Sequence, residues 1–198
     1  MTYKCYDHVT LGENVTIEDY AIIGKPYNDS EPPPLTIIGD NAIIRSHTVI
    51  YAGTVIGNNF QCGHHVLIRN DCQIGVGVSI GSGSVLEHHI QLEEAVRIHS
   101  QAFICEYSII KHHAWVGPNV VFTNSKYPQY EASKDHLEGV TVSPYAKVGA
   151  NATLLPGVTI GEKALVGAGS VVTQDVASNT IVVGNPATYL KEADEVSY

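Results

Sequence analysis

From Ile38 onward, every sixth residue is apolar. The series runs Ile38, Ile44, Ile50, Ile56, Cys62, Ile68, Ile74, Ile80, Leu86, Leu92, Ile98, Ile104, Ile110, Val116 and Phe122. Thirteen of these fifteen positions are Ile, Leu or Val, where the chain-wide share of those residues (52 of 198) would put about four. A second series, Val142, Val148, Leu154, Ile160, Val166 and Val172, has no miss, and a short first one is Leu11, Ile17 and Ile23. Four residues after most of these aliphatics comes a smaller side chain, as at Ala42, Thr48, Val66, Ala102 and Ala114. Gly often follows the aliphatic directly, as at Gly39, Gly57, Gly75, Gly81, Gly117, Gly161 and Gly167.

A period of six fits neither an amphipathic helix nor a heptad, and it exceeds plain strand alternation. It fits a short strand plus a turn, with one aliphatic pointing inward per unit. Three units close a triangular coil of 18 residues, and stacked coils pair by parallel hydrogen bonds about 4.8 Å apart. The expected fold is therefore all-β: about eight coils over residues 1–178, with glycine relieving backbone strain at the corners. Two stretches break register and must leave the stack as loops, residues 24–36 (GKPYNDSEPPPLT) and 123–139 (TNSKYPQYEASKDHLEG). Long excursions from a rigid scaffold often carry function. Residues 179–198 form a tail, in which 189–195 is a candidate short helix.

Composition narrows the functional classes. High aliphatic content and only 16% charged residues exclude a disordered chain. The net charge of −9 argues against nucleic acid or an anionic membrane as partner. No apolar run approaches the roughly 20 residues of a membrane span. Cys5, Cys62, Cys72 and Cys105 form no CxxC pair, so neither a disulfide framework nor a zinc ribbon is expected. The N-terminus, MTYKCYDHVT, has no signal-like pattern, so the chain is expected to be soluble and cytoplasmic. Cys62 and Cys72 fall at inward positions and read as core, whereas Cys105 reads as a corner residue open to exposure.

The coil pattern resembles the left-handed parallel β-helix of the hexapeptide-repeat acyltransferases, and Ile160–Ala187 (IGEKALVGAGSVVTQDVASNTIVVGNPA) looks like their C-terminal signature. Gly117–Pro128 (GPNVVFTNSKYP) resembles the coil-to-loop junction of nucleotide-sugar amino-acetyltransferases, with Ser125 and Gln129 where that group commonly has Asp and Arg. Ser84–Gln91 (SVLEHHIQ) resembles a stretch of the bacillosamine and sialic-acid acetyltransferase group, where a His followed by an acid is the proposed general base. The resemblance implies a homotrimer with active sites between subunits, acetyl-coenzyme A as acyl donor and a nucleotide-linked amino sugar as acceptor, a sugar hydroxyl being the alternative. It implies His88 as base, with His89 in the place of the usual acid. Asn70, Asn124 and Tyr127 are candidate substrate contacts, and the resemblance points to Gly149, Gly167 and Ala168 as the place where the coenzyme approaches the backbone, Lys147 and Lys191 being candidates for its phosphates.

Residues 18 apart stack in such a fold, so columns can be read by counting. One column reads Asn70, His88, Glu106, Asn124. A carboxylate one coil from His88 can accept from one imidazole nitrogen and raise the basicity of the other. His99 falls on another face and is a second candidate near the reacting amine. His47 and His65 also stack, with His64 beside them, which leaves open a zinc site of the γ-carbonic-anhydrase kind; the local patterns of that class are missing, and no metal is expected. Glu93 below Lys111 and Arg69 below Glu87 are expected as ladder ion pairs, and His112 and His113 as an exposed corner.

Overall fold

The structure, a computed structural model, describes residues 2–27 and 32–195; part of the first excursion (28–31) and the end of the tail (196–198) lie outside the described residues. Among the described residues, short strands, most of two residues, fill three sheets of nine, eight and ten strands, parallel but for one antiparallel strand at the end of the third, the three faces of a left-handed parallel β-helix. Successive chain strands move from face to face, and hydrogen-bonded neighbours lie 18 residues apart, as in Ile68 with Leu86, Ile74 with Leu92 and Ile80 with Ile98. The inward series fills the prism: Ile38, Ile44, Ile50, Ile68, Leu86, Ile104, Ile110, Val116 and Phe122 are all buried. The fold follows from the period. Each aliphatic stacks on the one 18 positions away, and each buried backbone group finds its partner in the adjacent coil.

The corners differ in one respect from the expectation. The residue three positions after most of the inward aliphatics has a left-handed backbone, with φ near 60° at Asn41, His47, Asn59, His65, Asp71, His89 and His113, and glycine filling the same position at Gly53, Gly77, Gly83, Gly157 and Gly169. Short polar side chains tolerate that region better than aliphatics do. The glycines directly after the aliphatics are not among these positions. A Cβ on Gly39, Gly81 or Gly149 would fall within 2.6 Å of backbone nitrogen in the next coil. Close approach between coils, rather than backbone strain, is what these glycines satisfy.

Both excursions leave at the same edge, between the first and second faces. The first lies between the strands Ile22–Lys25 and Thr36–Ile38, the second between Val121–Phe122 and Thr141–Val142. Thr141 pairs with Ile109, 32 positions earlier instead of 18, so the coil resumes in register once the loop has been spliced out. The turns at 70–71, 88–89 and 106–107 occupy this edge between the two excursions.

The tail is not a helix. Thr180–Gly184 continues the third face by parallel pairing with Leu165–Val166, so the stack runs past residue 178, and Ala187–Glu192 turns back antiparallel on it. Ile181 and Val182 are buried there, covering apolar surface at the end of the prism, and a single 3₁₀ turn follows at Ala193–Glu195. Among the described residues no helix is long and apolar enough to cross a membrane.

Candidate functional site

The column found by counting is built as a chain of side-chain contacts. His88 Nε2 lies 2.5 Å from Glu106 Oε1, and Asn124 Nδ2 donates to Glu106 Oε2 at 3.1 Å. Glu106 is thus held from both sides, by the coil below and by the first residues of the second excursion. Both His88 and Glu106 are about a fifth exposed, which gives a desolvated but reachable pair. A carboxylate in this position accepts from His88 Nε2 and so fixes the tautomer of that ring.

The adjacent column, Asp71, His89 and Tyr107, completes the cluster. His89 Nδ1 is 2.6 Å from His88 Nδ1, and His89 Nε2 is 3.9 Å from Asp71 Oδ2. Tyr107 packs its ring near both imidazoles, at 5.9 and 5.5 Å between centroids. Asp71 Oδ2 accepts from Asn70 Nδ2 at 2.6 Å and from the Tyr27 hydroxyl at 3.0 Å. Partial burial, then the hydrogen bond to Asp71, raises the Tyr27 phenol above its ordinary value, so it remains a donor. Asn70 is buried, and its Oδ1 has no hydrogen-bond partner among the described residues. The first excursion therefore reaches this cluster through Tyr27, and the second through Asn124.

Three of the four residues in the predicted column, His88, Glu106 and Asn124, touch in sequence, and Asn70 joins through Asp71 and His89. The other candidates lie elsewhere. Tyr127 is two-thirds exposed and lines a small cleft within its own loop, with Ser125, Tyr130 and His136. His99 follows the third-face strand Arg97–Ile98 and borders a groove of ≈ 450 Å³ with Arg45, Gln61, His64, Ser79 and Arg97. Its ring packs on Trp115 at 4.6 Å, and its buried Nε2 has no partner among the described residues. Burial, with the Arg97 guanidinium adding to it, lowers the His99 imidazole below its usual range, so it is neutral at pH 7. Gly149 and Gly167 stack as counted; a Cβ on Gly149 would meet the backbone of 167–168, and one on Gly167 would meet Val183. Coil packing alone accounts for both glycines, while Ala168 is exposed beside Gly169, around which there is open space.

The remaining residues singled out above lie as follows. Arg69 Nη1 pairs with Glu87 Oε2 at 2.8 Å. Glu93 does not pair with Lys111: it accepts from the backbone N–H of His112 at 2.9 Å and contacts that ring at 3.0 Å, because the turn brings the amide nearer than the lysine reaches. Cys105 is buried beside Ser108, not exposed, because its side chain turns into the core at that corner. His47 and His65 stack at 4.6 Å, and Ser46 holds His64. Among the described residues no group of three or more His, Cys, Asp or Glu is placed to hold a metal ion.

Sequence counting missed Asp71, Tyr107 and the contact between the two imidazoles. The signal was present, since 71, 89 and 107 are themselves 18 apart. Tyr27 carried none, because the path of the excursion is not periodic.

The comparisons agree with this architecture. The family model described as bacterial transferase hexapeptide (six repeats) matches residues 139–174. No curated protein matches in sequence. Among solved structures, the UDP-N-acetylglucosamine acyltransferase of Francisella novicida superposes with a TM-score of 0.80 at 16% identity, over 98% of this chain and 70% of that one. The Bacteroides fragilis UDP-N-acetylglucosamine acyltransferase gives 0.63 at 16% identity, over 98% and 74%. The polySia-specific acetyltransferase NeuO gives 0.57 at 19%, over 97% and 87%. Prism and register show the left-handed parallel β-helix fold, built on the six-residue repeat that the family model matches at residues 139–174.

Proposed function

We propose that this chain transfers an acetyl or other short acyl group from coenzyme A to the amine of a nucleotide-linked amino sugar. The observation that carries this reading is the His88–Glu106–Asn124 column, a histidine oriented by a held carboxylate on the edge that both excursions leave. The transferase-type repeat and the sugar acyltransferases among the similar structures support it.

In this reading the amine attacks the thioester carbonyl while the His88–Glu106 pair takes up its proton. That proton returns to the departing sulfur. General base catalysis of this kind contributes typically 10²–10⁴-fold. A backbone N–H at a coil corner would face the developing oxyanion. Asn70 and Asn124 are the polar contacts for the acceptor, and Tyr127 a contact from the loop. The exposed corner at Ala168 gives the coenzyme's arm room beside Gly149 and Gly167. In a closed threefold assembly a neighbouring subunit would supply further walls, and His99 with its groove is the candidate for that part.

The test is a thermal-shift screen of the purified chain against acetyl-coenzyme A, coenzyme A, UDP- and dTDP-sugars, and zinc with a chelator control. A ligand at 100 times its Kd adds about 2.7 kcal/mol, or a shift of about 5–10 °C for a chain of this size. A shift with acetyl-coenzyme A, with a second from one nucleotide sugar, names donor and acceptor. With that pair in hand, His88→Ala should lower turnover by more than tenfold. A smaller loss removes the base assignment, and the absence of any shift with coenzyme A species removes the transferase reading.

A further inference from the structure

Both ring nitrogens of His88 are occupied. Nε2 faces Glu106 at 2.5 Å and Nδ1 faces His89 Nδ1 at 2.6 Å. A carboxylate only accepts, so His88 Nε2 carries the hydrogen in that contact. Two imidazole nitrogens at 2.6 Å need one proton between them, since two N–H groups would clash and two lone pairs would repel. With His88 uncharged, its Nδ1 is a lone pair and the shared proton belongs to His89 Nδ1. Neutral His89 then has its lone pair on Nε2. That nitrogen belongs to the more exposed ring, about half accessible against about a fifth for His88.

We propose that His89, not His88, is the catalytic residue that touches the acceptor, and that His88 relays the proton toward Glu106. This rests on the acyl-transfer reading and specifies its base. As the amine attacks, the C–N bond forms and the amine proton passes to His89 Nε2. The proton on His89 Nδ1 moves to His88 Nδ1. His89 is left neutral, and the positive charge stands on His88 against the Glu106 carboxylate, which Asn124 holds from its other oxygen. When the C–S bond breaks, the protons retrace this path and the departing sulfur leaves as a thiol. No co-reactant beyond thioester and amine is needed.

The surroundings suit the assignment. Asp71 faces His89 Nε2 at 3.9 Å, too far to take its hydrogen bond, and its Oδ2 is already engaged by Tyr27 and Asn70. Nε2 is thereby left open to a substrate while a negative charge stands nearby. The Tyr107 ring packs near both imidazoles. His89 has φ 58°, which Asn accepts readily, so His89→Asn removes the base without straining the corner.

The test begins without any substrate. Two-bond proton–nitrogen NMR of the ¹⁵N-labelled full chain, with both rings uncharged, should show His89 with hydrogen on Nδ1 and a bare Nε2, and His88 with hydrogen on Nε2. Diethyl pyrocarbonate, which acylates bare ring nitrogens, should modify His89 ahead of His88, and His89→Asn should make His88 reactive. A bare Nε2 on His88, or faster modification of His88 in the unaltered chain, overturns the relay. With acetyl-coenzyme A and a responding amino sugar, His89→Asn and His88→Asn should each lose more than tenfold in turnover, and the double variant should lose no more than either single one. Full activity in His89→Asn with loss in His88→Asn overturns the relay while leaving acyl transfer standing. The NMR pattern without any acyl transfer leaves the relay standing and removes the reading it was assigned to.

Discussion

Replacing Gly81 by alanine separates the two roles that glycine could have in these coils. A Cβ at Gly81 would lie 2.2 Å from Ser100 N and 2.5 Å from the carbonyl carbon of His99, where ordinary contact begins at 3.4 Å. Backbone, not a flexible side chain, is in the way. The two coils must part locally by about 1 Å out of a spacing of about 4.8 Å. Three hydrogen bonds span that gap: Gly81 N to Ile98 O, Gln101 N to Ser82 O, and Ser84 Oγ to His99 O. Weakening them at about 1 kcal/mol each gives a destabilisation of about 3 kcal/mol, a fall of about 6–12 °C in Tm. Gly77 is the control. It has φ +68° and no atom within 4 Å of a built Cβ, so alanine there meets only the left-handed backbone penalty, about 1 kcal/mol. Urea midpoints and thermal scans of both variants decide the matter. Equal destabilisation, or a loss below 1 kcal/mol for Gly81→Ala, would refute close approach as the reason for glycine after the aliphatic.

Two further outcomes follow from the thiols and carboxylates. Native chain treated with iodoacetamide should be alkylated at the exposed Cys5 alone. Burial pushes the Cys72 thiol up to about 12, and Cys62 and Cys105 rise for the same reason, so these three should react only after unfolding. The His112 backbone N–H, and then its ring, lower Glu93 below its ordinary 4.5. A lowered carboxylate stabilises the fold above the unfolded value and loses that contribution as pH falls through the folded one. The stability gap between the unaltered chain and Glu93→Gln should therefore be open at pH 6–7 and close below about pH 4; a gap independent of pH removes the His112 contact as its source.

The period of six determined the prism, the three faces, the 18-residue register and the inward residues. It did so because parallel stacking repeats one local decision at every coil, so position along the chain is position in space. The same arithmetic brought His88, Glu106 and Asn124 together before any coordinates, since a corner column is a straight line through the sequence. Counting could not reach what departs from the line. The path of the first excursion, and so the contact of Tyr27 with Asp71, depends on how a non-periodic loop packs back on the coils. The tail lay outside the pattern as well: Thr180–Gly184 adds to the open edge of the third face, and Ala187–Glu192 pairs back on it, so most of the stretch read as a short helix is strand. The engagement of both His88 nitrogens was equally a tertiary decision. Sequence put two histidines side by side at a turn, but only the folded corner sets the second ring against the first, and this orientation leaves His89 Nε2 as the open nitrogen.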